Sequence, residues 1–178
     1  MSASKLTHAW FNETTGEFFT PKVRIIYPAL LETKLNRKFP ANPAKFSASA
    51  LVPKTADISA IIAAVAKFAA DLYGANWKEK EVKLPIKKTT SYDKLAEFAA
   101  DYPIFLRVSA NADYPPVIFG RDAKPLVRRE VSEVYSGRWG IFAFNIWGPK
   151  PENKDVNKFV SLGLLRVQLL DHDDPIAT

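Results

Sequence analysis

Hydrophobic and polar positions alternate along several short segments of this chain, most clearly over residues 138–147. The odd-numbered residues from Trp139 to Trp147 would share one face, and Phe142, Phe144 and Ile146 would share the other. A period of two indicates a β-strand. Large apolar groups on both faces indicate either a strand buried on both sides or a strand with one aromatic face that binds a ligand. The pattern leaves both interpretations open.

Other segments have the β-branched and aromatic content of strands, bounded by proline, glycine or asparagine. The first carries Pro28, which we expect to end it. The second has small residues that would let a ligand or another backbone approach closely. The predicted strands are 23–30, 45–53, 104–112, 159–170 and a short strand with a glycine-containing turn within 116–127.

Two segments have helical periodicity. Residues 57–73 place apolar groups three and four positions apart, with Asp57 or Thr55 as the N-terminal cap and Gly74 at the C-terminal end. A shorter helix is predicted over 92–101, because apolar positions recur there at similar spacing and Pro103 follows.

The order of these elements predicts a fold that is mostly β with inserted helices. It suits an OB-fold-like Greek-key barrel with long decorated connections, although periodicity alone does not separate this from another α+β barrel. A length of 178 residues is typical of one domain. We expect residues 1–20 to be a peripheral N-terminal segment, residues 21–170 a single OB-fold-like domain, and residues 171–178 a short acidic tail.

The composition excludes several classes of protein. The chain has no cysteine, which rules out disulfides and thiol catalysis and fits a reducing cytoplasm. No signal-peptide core or long apolar run is present, so neither export nor a membrane span is indicated. The two histidines, His8 and His172, lack partners at metal-ligand spacing, and no catalytic motif occurs. We therefore expect no enzymatic activity, no cofactor and no metal.

The charge is uneven along the chain. Its formal net charge is +6, and removal of the three acids of the last eight residues leaves 25 basic against 16 acidic groups. A basic body indicates a polyanionic partner. The acidic end is read either as an electrostatic feature or as an ordinary solvated terminus.

Basic groups interleaved with aromatic groups are the remaining functional signal. Single-stranded nucleic acid binds to positive grooves that follow its phosphates and to aromatic rings on which its bases stack. For any one aromatic, packing in the core is the competing interpretation. The candidate stacking residues are Tyr27, Phe46, Trp77, Tyr92, Tyr114, Tyr135, Trp139 and Trp147. The candidate phosphate-binding residues are Lys22, Arg24, Lys34, Arg37, Lys38, Lys45, Arg107, Arg121, Lys124, Arg128, Arg129 and Arg138.

The order of several motifs resembles a known family. They are SALVPK after an aromatic strand, NADYPPVIFGRD followed by PL, and YSGRW followed by SLGLLRVQ. In these motifs, and over about residues 22–176, the chain resembles the bacteriophage single-stranded DNA-binding proteins.

That resemblance implies an OB-fold core and sequence-independent binding of single-stranded DNA during phage replication or recombination. It also implies location in the host cytoplasm, and an acidic C-terminus that competes with DNA and recruits replication proteins. DHDDPIAT is short for such a tail.

Two hypotheses from different classes follow. The first is a single-stranded DNA-binding protein that uses phosphate contacts and base stacking. The alternative is a basic protein-interaction or scaffolding module with no nucleic-acid role, whose aromatic residues belong to the core. An RNA-binding OB domain is a further option within the first class.

Overall fold

A computed structural model describes residues 6–35, 41–127, 129–150 and 158–176. Its strands are β1 (Trp10–Asn12), β2 (Glu17–Phe19), β3 (Val23–Lys34), β4 (Lys45–Val52), β5 (Ile86–Lys88), β6 (Ile104–Asn111), β7 (Val117–Phe119), β8 (Trp139–Trp147) and β9 (Ser161–Leu169). Helix α1 (Ser59–Tyr73) lies between β4 and β5, and two 3-10 helices (Thr89–Ser91 and Asp93–Phe98) lie between β5 and β6.

Five strands close a barrel. β3 pairs with β4, β4 with β6, β6 with β9, β9 with β8, and β8 returns to β3. All of these pairings are antiparallel except that of β6 with β9. The remaining strands extend the sheet: β1 and β2 from β8, β5 from β6, and β7 from β9. The predicted mostly-β, OB-fold-like barrel is therefore confirmed.

Alternation along the barrel strands separates the core from the outer face. Even-numbered residues of β4 and β6, such as Ala48, Ala50 and Val108, point into the main core. Helix α1 adds Ile61, Val65 and Ala69 to that core. Odd-numbered residues of the same two strands therefore lie on the outer face of the barrel.

A second, smaller cluster covers one end of this outer face. It contains Ile26, Leu51, Leu95 and Phe105, with Phe98, Tyr102 and Ile176 packed around it. The second 3-10 helix supplies Leu95 and Phe98. The segment predicted as a helix over 92–101 is thus a short 3-10 helix that serves as a cover for the sheet.

The strand predicted over residues 23–30 is longer than expected. It continues to Lys34, because Pro28 lies in a bulge instead of ending the strand. The register with β4 shifts between Ile26 and Ala29, and Tyr27 has a φ of 50°. A bulge leaves residues unpaired with the neighbouring strand, so the missing N–H of a proline is tolerated there.

The other predicted elements agree closely with the structure. Helix α1 begins at Ser59, whose backbone N–H donates to Asp57 Oδ1 over 2.8 Å, and it ends just before Gly74. No helix in the described part of the chain is long and apolar enough to cross a membrane.

Candidate nucleic-acid interface

The middle of the outer face of β4 and β6 is polar and shallow. Ser47 pairs with Ser109, and Ser49 pairs with Arg107. Ser47 and Ser109 are partly exposed and Arg107 is exposed, whereas Ser49 is buried. In OB-folds the equivalent face and the loops beside it bind oligonucleotides. We call these four residues the polar floor.

One side of the polar floor has an aromatic ring with a cation beside it. Tyr92 is 44% exposed and meets Phe105 in a T-shaped contact, with ring centroids 5.1 Å apart. Lys87 donates a hydrogen bond to the Tyr92 hydroxyl over 3.2 Å, and its Nζ lies 5.6 Å from the ring centroid. Lys87 pairs with Phe105, which is two residues from Arg107 on β6, so these residues share the outer face of the sheet.

The other end of this face carries further predicted groups. Lys45 begins β4 and pairs with Lys34 on β3 and with Asn111 on β6. Tyr114 follows β6 and is 75% exposed. Both lysines are exposed, so the positive charge of the face continues past the serines. At the β3 bulge, Tyr27 is 40% exposed.

The C-terminal segment 171–176 covers a second group of predicted residues. Asp171 pairs with Lys22 and with Arg121, the latter at 2.9 Å. The Trp139 indole N–H donates to Asp173 Oδ2 over 2.9 Å. The Lys22 Nζ and the Arg24 guanidinium lie 5.1 and 5.9 Å from the Trp139 ring centroid. Three cations, Lys22, Arg24 and Arg121, and a tryptophan that could contact DNA are thus occupied by carboxylates of the same chain.

Backbone contacts also hold this segment in place. Arg24 donates to the carbonyl oxygens of Gly137 and Asp174, and Ile176 N–H donates to Ser136 O over 2.8 Å. Gly137 has a φ of +114°, and a Cβ there would lie 2.5 Å from Asp174 O. A glycine is required at this position, because a side chain would collide with the C-terminal backbone.

Two carboxyl groups in the segment have lowered pKa values. A hydrogen bond from the Lys22 ammonium, together with its charge, lowers the pKa of Asp171. Hydrogen bonds from the Trp139 indole and from the Asp174 backbone N–H lower the pKa of Asp173. Ionised carboxylates therefore stabilise the docked segment above the ordinary aspartate pKa of about 3.9, and this stabilisation is lost as the pH falls through the lowered values.

This gives a pH prediction for the Trp139 indole N–H signal in an NMR titration. The signal should stay constant from pH 7 to pH 5 and shift only below about pH 4, where Asp173 becomes protonated. Asp173→Asn should remove the transition, and the Trp147 indole serves as the internal control. A shift of the Trp139 signal between pH 5 and pH 7 would contradict this account.

The structure corrects the prediction for two site residues, Phe46 and Arg138. Phe46 is 8% exposed and points into the main core, because even-numbered residues of β4 face inward. Arg138 is 1% exposed, and its guanidinium donates to Leu170 O and to Glu133 Oε2. Neither side chain is available to a DNA strand in this arrangement, and Arg138 is a structural ion-pair partner.

The remaining predicted residues are scattered. Tyr135 hydrogen-bonds through its hydroxyl to His172, and Trp77 is half-buried against the main core. Lys124 is exposed in the turn after β7, and Arg129 donates weakly to Leu30 O over 3.4 Å. Arg37, Lys38 and Arg128 lie outside the described residues.

Sequence reasoning missed the polar floor serines and Lys87. The signal for the serines was present in KFSASALV, in which Ser47 and Ser49 alternate with inward-facing residues. Lys87 stands in a lysine pair that resembles an ordinary solvated run, and only the pairing of β5 with β6 brings it beside Tyr92.

Nothing in the described residues forms a cluster of three or more metal-ligating side chains. The chemistry that the face offers is that of cations, hydroxyls and aromatic rings. These groups bind phosphates and stack on bases.

Comparison with known proteins identifies the family of this chain. Residues 17–178 match the family model described as "Enterobacter phage Enc34, ssDNA-binding protein". The chain belongs to this family. The family resemblance predicted from the sequence motifs is therefore confirmed. A search of curated proteins finds no match.

Solved structures of similar proteins share the fold. The single-stranded DNA-binding protein from bacteriophage Enc34 has a TM-score of 0.71 at 17% identity, with 99% of this chain and 90% of that chain covered. The same protein in complex with ssDNA gives 0.70 at 18% identity, covering 98% of this chain and 100% of that chain. The single-stranded DNA-binding protein gp2.5 of bacteriophage T7 gives 0.62 at 15% identity, covering 89% and 93%.

Proposed function

We propose that this protein binds single-stranded DNA without sequence preference on the outer face of β4 and β6. The observation that carries the proposal is the polar floor, where the exposed Arg107 lies on the outer face of the barrel with Ser47, Ser49 and Ser109. Membership of a family described as ssDNA-binding supports the same function.

The groups around the polar floor have complementary roles in this proposal. Arg107, Lys87 and Lys45 neutralise phosphates, and the hydroxyls of Ser47 and Ser109 donate hydrogen bonds to phosphate or sugar oxygens. Tyr92, Tyr27 and Tyr114 supply exposed rings for stacking, each worth roughly 1–3 kcal/mol per base. Stacking accepts every base, because every base has a π-face, so the binding is independent of sequence.

The C-terminal segment is a competitor for part of this surface. Its carboxylates occupy Lys22, Arg24, Arg121 and the Trp139 indole, the kinds of group that phosphates and bases would engage. Displaced by DNA, the segment becomes accessible to other proteins of a replication or recombination complex. The proposed setting is the cytoplasm of an infected cell, and the protein acts by binding and protecting the strand, not by catalysis.

The test is a titration of fluorescein-labelled oligo-dT at several salt concentrations, with Arg107→Ala and a control. Each neutralised phosphate contributes about 0.7 to the slope of log affinity against log salt. Arg107→Ala should reduce that slope by about 0.7 and weaken binding several-fold at low salt. Lys67→Ala removes the same charge from the exposed surface of α1 and should leave the slope unchanged.

Binding of oligo-dT that is equally tight at low and high salt would contradict the proposal. So would an absence of binding to single-stranded DNA together with salt-sensitive capture of an acidic protein, which is the result that a scaffolding module predicts.

A further inference from the structure

The polar floor continues onto two more strands. Ser109 pairs with Gly163 on β9, and Gly163 pairs with Asn145 on β8. Both positions lie on the outer face, because their neighbours Leu162, Leu164 and Phe144 belong to the main core. Ser47, Ser109, Gly163 and Asn145 thus form a row of small or polar residues across four adjacent strands, which we call the polar belt.

Gly163 is the lowest point of the polar belt. A Cβ at this position would lie 2.3 Å from Asn145 Oδ1 and 3.5 Å from Trp147 Cδ1. The first distance is far below van der Waals contact, so any other residue would displace the Asn145 amide. The Asn145 amide and the Trp147 ring therefore lie against the Gly163 backbone, in space that only a glycine leaves free.

The two side chains over Gly163, those of Asn145 and Trp147, are positioned to contact a ligand. Asn145 is exposed, and its amide forms no hydrogen bond with any described residue. Trp147 is 44% exposed, and a T-shaped contact with Phe159, with centroids 5.4 Å apart, holds its ring. They are two residues apart on one strand, so an aromatic ring and a neutral amide point from the same face.

We propose that Asn145 and Trp147, which Gly163 allows to lie close to the sheet, form a subsite for one nucleotide of the bound strand. The base stacks on Trp147, and the Asn145 amide exchanges hydrogen bonds with its polar edge. An amide both donates and accepts, and it carries no charge, so it serves bases of different kinds. The subsite rests on the proposed function, and it extends the DNA path from Arg107 along the polar belt.

This path differs from one that runs toward Trp139. The Trp139 indole already donates to Asp173, and its neighbours Lys22 and Arg24 are paired with carboxylates. Trp147 has no carboxylate partner among the described residues. With the C-terminal segment docked, Trp147 is the tryptophan that a strand meets first.

The test combines affinity measurements with photo-crosslinking. Asn145→Ala should weaken binding of a short oligo-dT about two- to tenfold, the range for one hydrogen-bonded group. Trp147→Ala should weaken it about fivefold or more. Neither change removes a charge, so the salt slope should remain that of the unmodified protein. Asn76→Ala, in the exposed turn after α1, is the matched control.

Crosslinking of a bromouracil-containing oligonucleotide should modify the peptide that contains Trp147 and not the one that contains Trp139. Unchanged affinity of Asn145→Ala together with crosslinks only at Trp139 would overturn the subsite while Arg107-dependent binding still stood. Absence of any binding by the unmodified protein would overturn the proposed function and the subsite together.

Discussion

Replacement of Arg138 by alanine should lower the free energy of unfolding by about 3–5 kcal/mol. The Arg138 side chain is almost completely buried, and its Nε donates to Leu170 O over 2.9 Å. Its Nη1 lies within hydrogen-bonding distance of Glu133 Oε2, at 3.1 Å, and of the His172 ring, at 3.0 Å. Truncation would leave these acceptors without their donor and open a cavity beside the barrel.

Denaturant unfolding monitored by tryptophan fluorescence measures this effect. Arg121→Ala is the matched control, because its guanidinium is exposed and its pair with Asp171 lies on the surface. We expect the control to change the free energy of unfolding by less than about 1 kcal/mol. An Arg138→Ala protein as stable as that control would show that the buried network contributes little.

The hydrogen bonds of Arg138 also couple the stability of the fold to the docking of the C-terminal segment. The guanidinium joins Glu133, ahead of β8, to His172, beyond β9. The Arg138→Ala protein, which lacks this guanidinium, should release residues 171–176 more easily. The sharp shift of the Trp139 indole signal below about pH 4 should then be weaker or absent.

Neutralisation of the C-terminal carboxylates is expected to strengthen binding of long DNA strands about tenfold at low salt. In Asp171→Asn with Asp173→Asn, the segment loses its ion pairs, and Lys22, Arg24 and Arg121 become free for phosphates. Three further phosphate contacts would steepen the salt slope by about 2. A short strand that stays on the polar belt should gain much less, because it does not reach these cations.

Oligo-dT of about 6 nucleotides, near the lower end of the site sizes usual for one OB-fold, and of about 20 nucleotides, above them, separates the two cases. Asp71→Asn with Glu79→Gln alters the net charge by the same amount on exposed positions of α1 and the turn after it. If the control and the C-terminal variant strengthen binding equally, the effect is one of net charge. If the affinity for both oligonucleotide lengths rises by the same factor, the C-terminal segment does not cover cations that only the longer strand reaches.

Local sequence patterns were sufficient to predict much of the fold. Alternation along 45–53 and 104–112 predicted β4 and β6 and which residues share a face, because the period of a strand is a local property. Helical spacing with Asp57 before it and Gly74 after it located α1 for the same reason. The 92–101 segment was less well predicted, since its apolar groups pack outward on Leu51 and Phe105, residues remote in sequence.

Local patterns did not reveal which groups are open to a ligand. Arg107 and Arg138 look alike in the sequence, each an arginine in or beside a strand rich in apolar residues. Barrel closure leaves Arg107 exposed among serines, whereas Glu133, Leu170 and His172 enclose Arg138. Exposure depends on what covers a face, and the covering residues come from other parts of the chain.

In the aromatic stretch from Tyr135 to Trp147, too, the sequence predicts the face of each residue and the tertiary structure decides what covers it. Its alternation assigned Phe142 and Phe144 to one face and Trp139 and Trp147 to the other, and the structure has this arrangement. The different surroundings of the two tryptophans come from contacts distant in sequence. Asp173 holds the first through its indole, and Gly163 of the neighbouring strand leaves room beneath the second. Periodicity assigns a residue to a face, but only strand pairing and the docked C-terminus decide whether that face is covered.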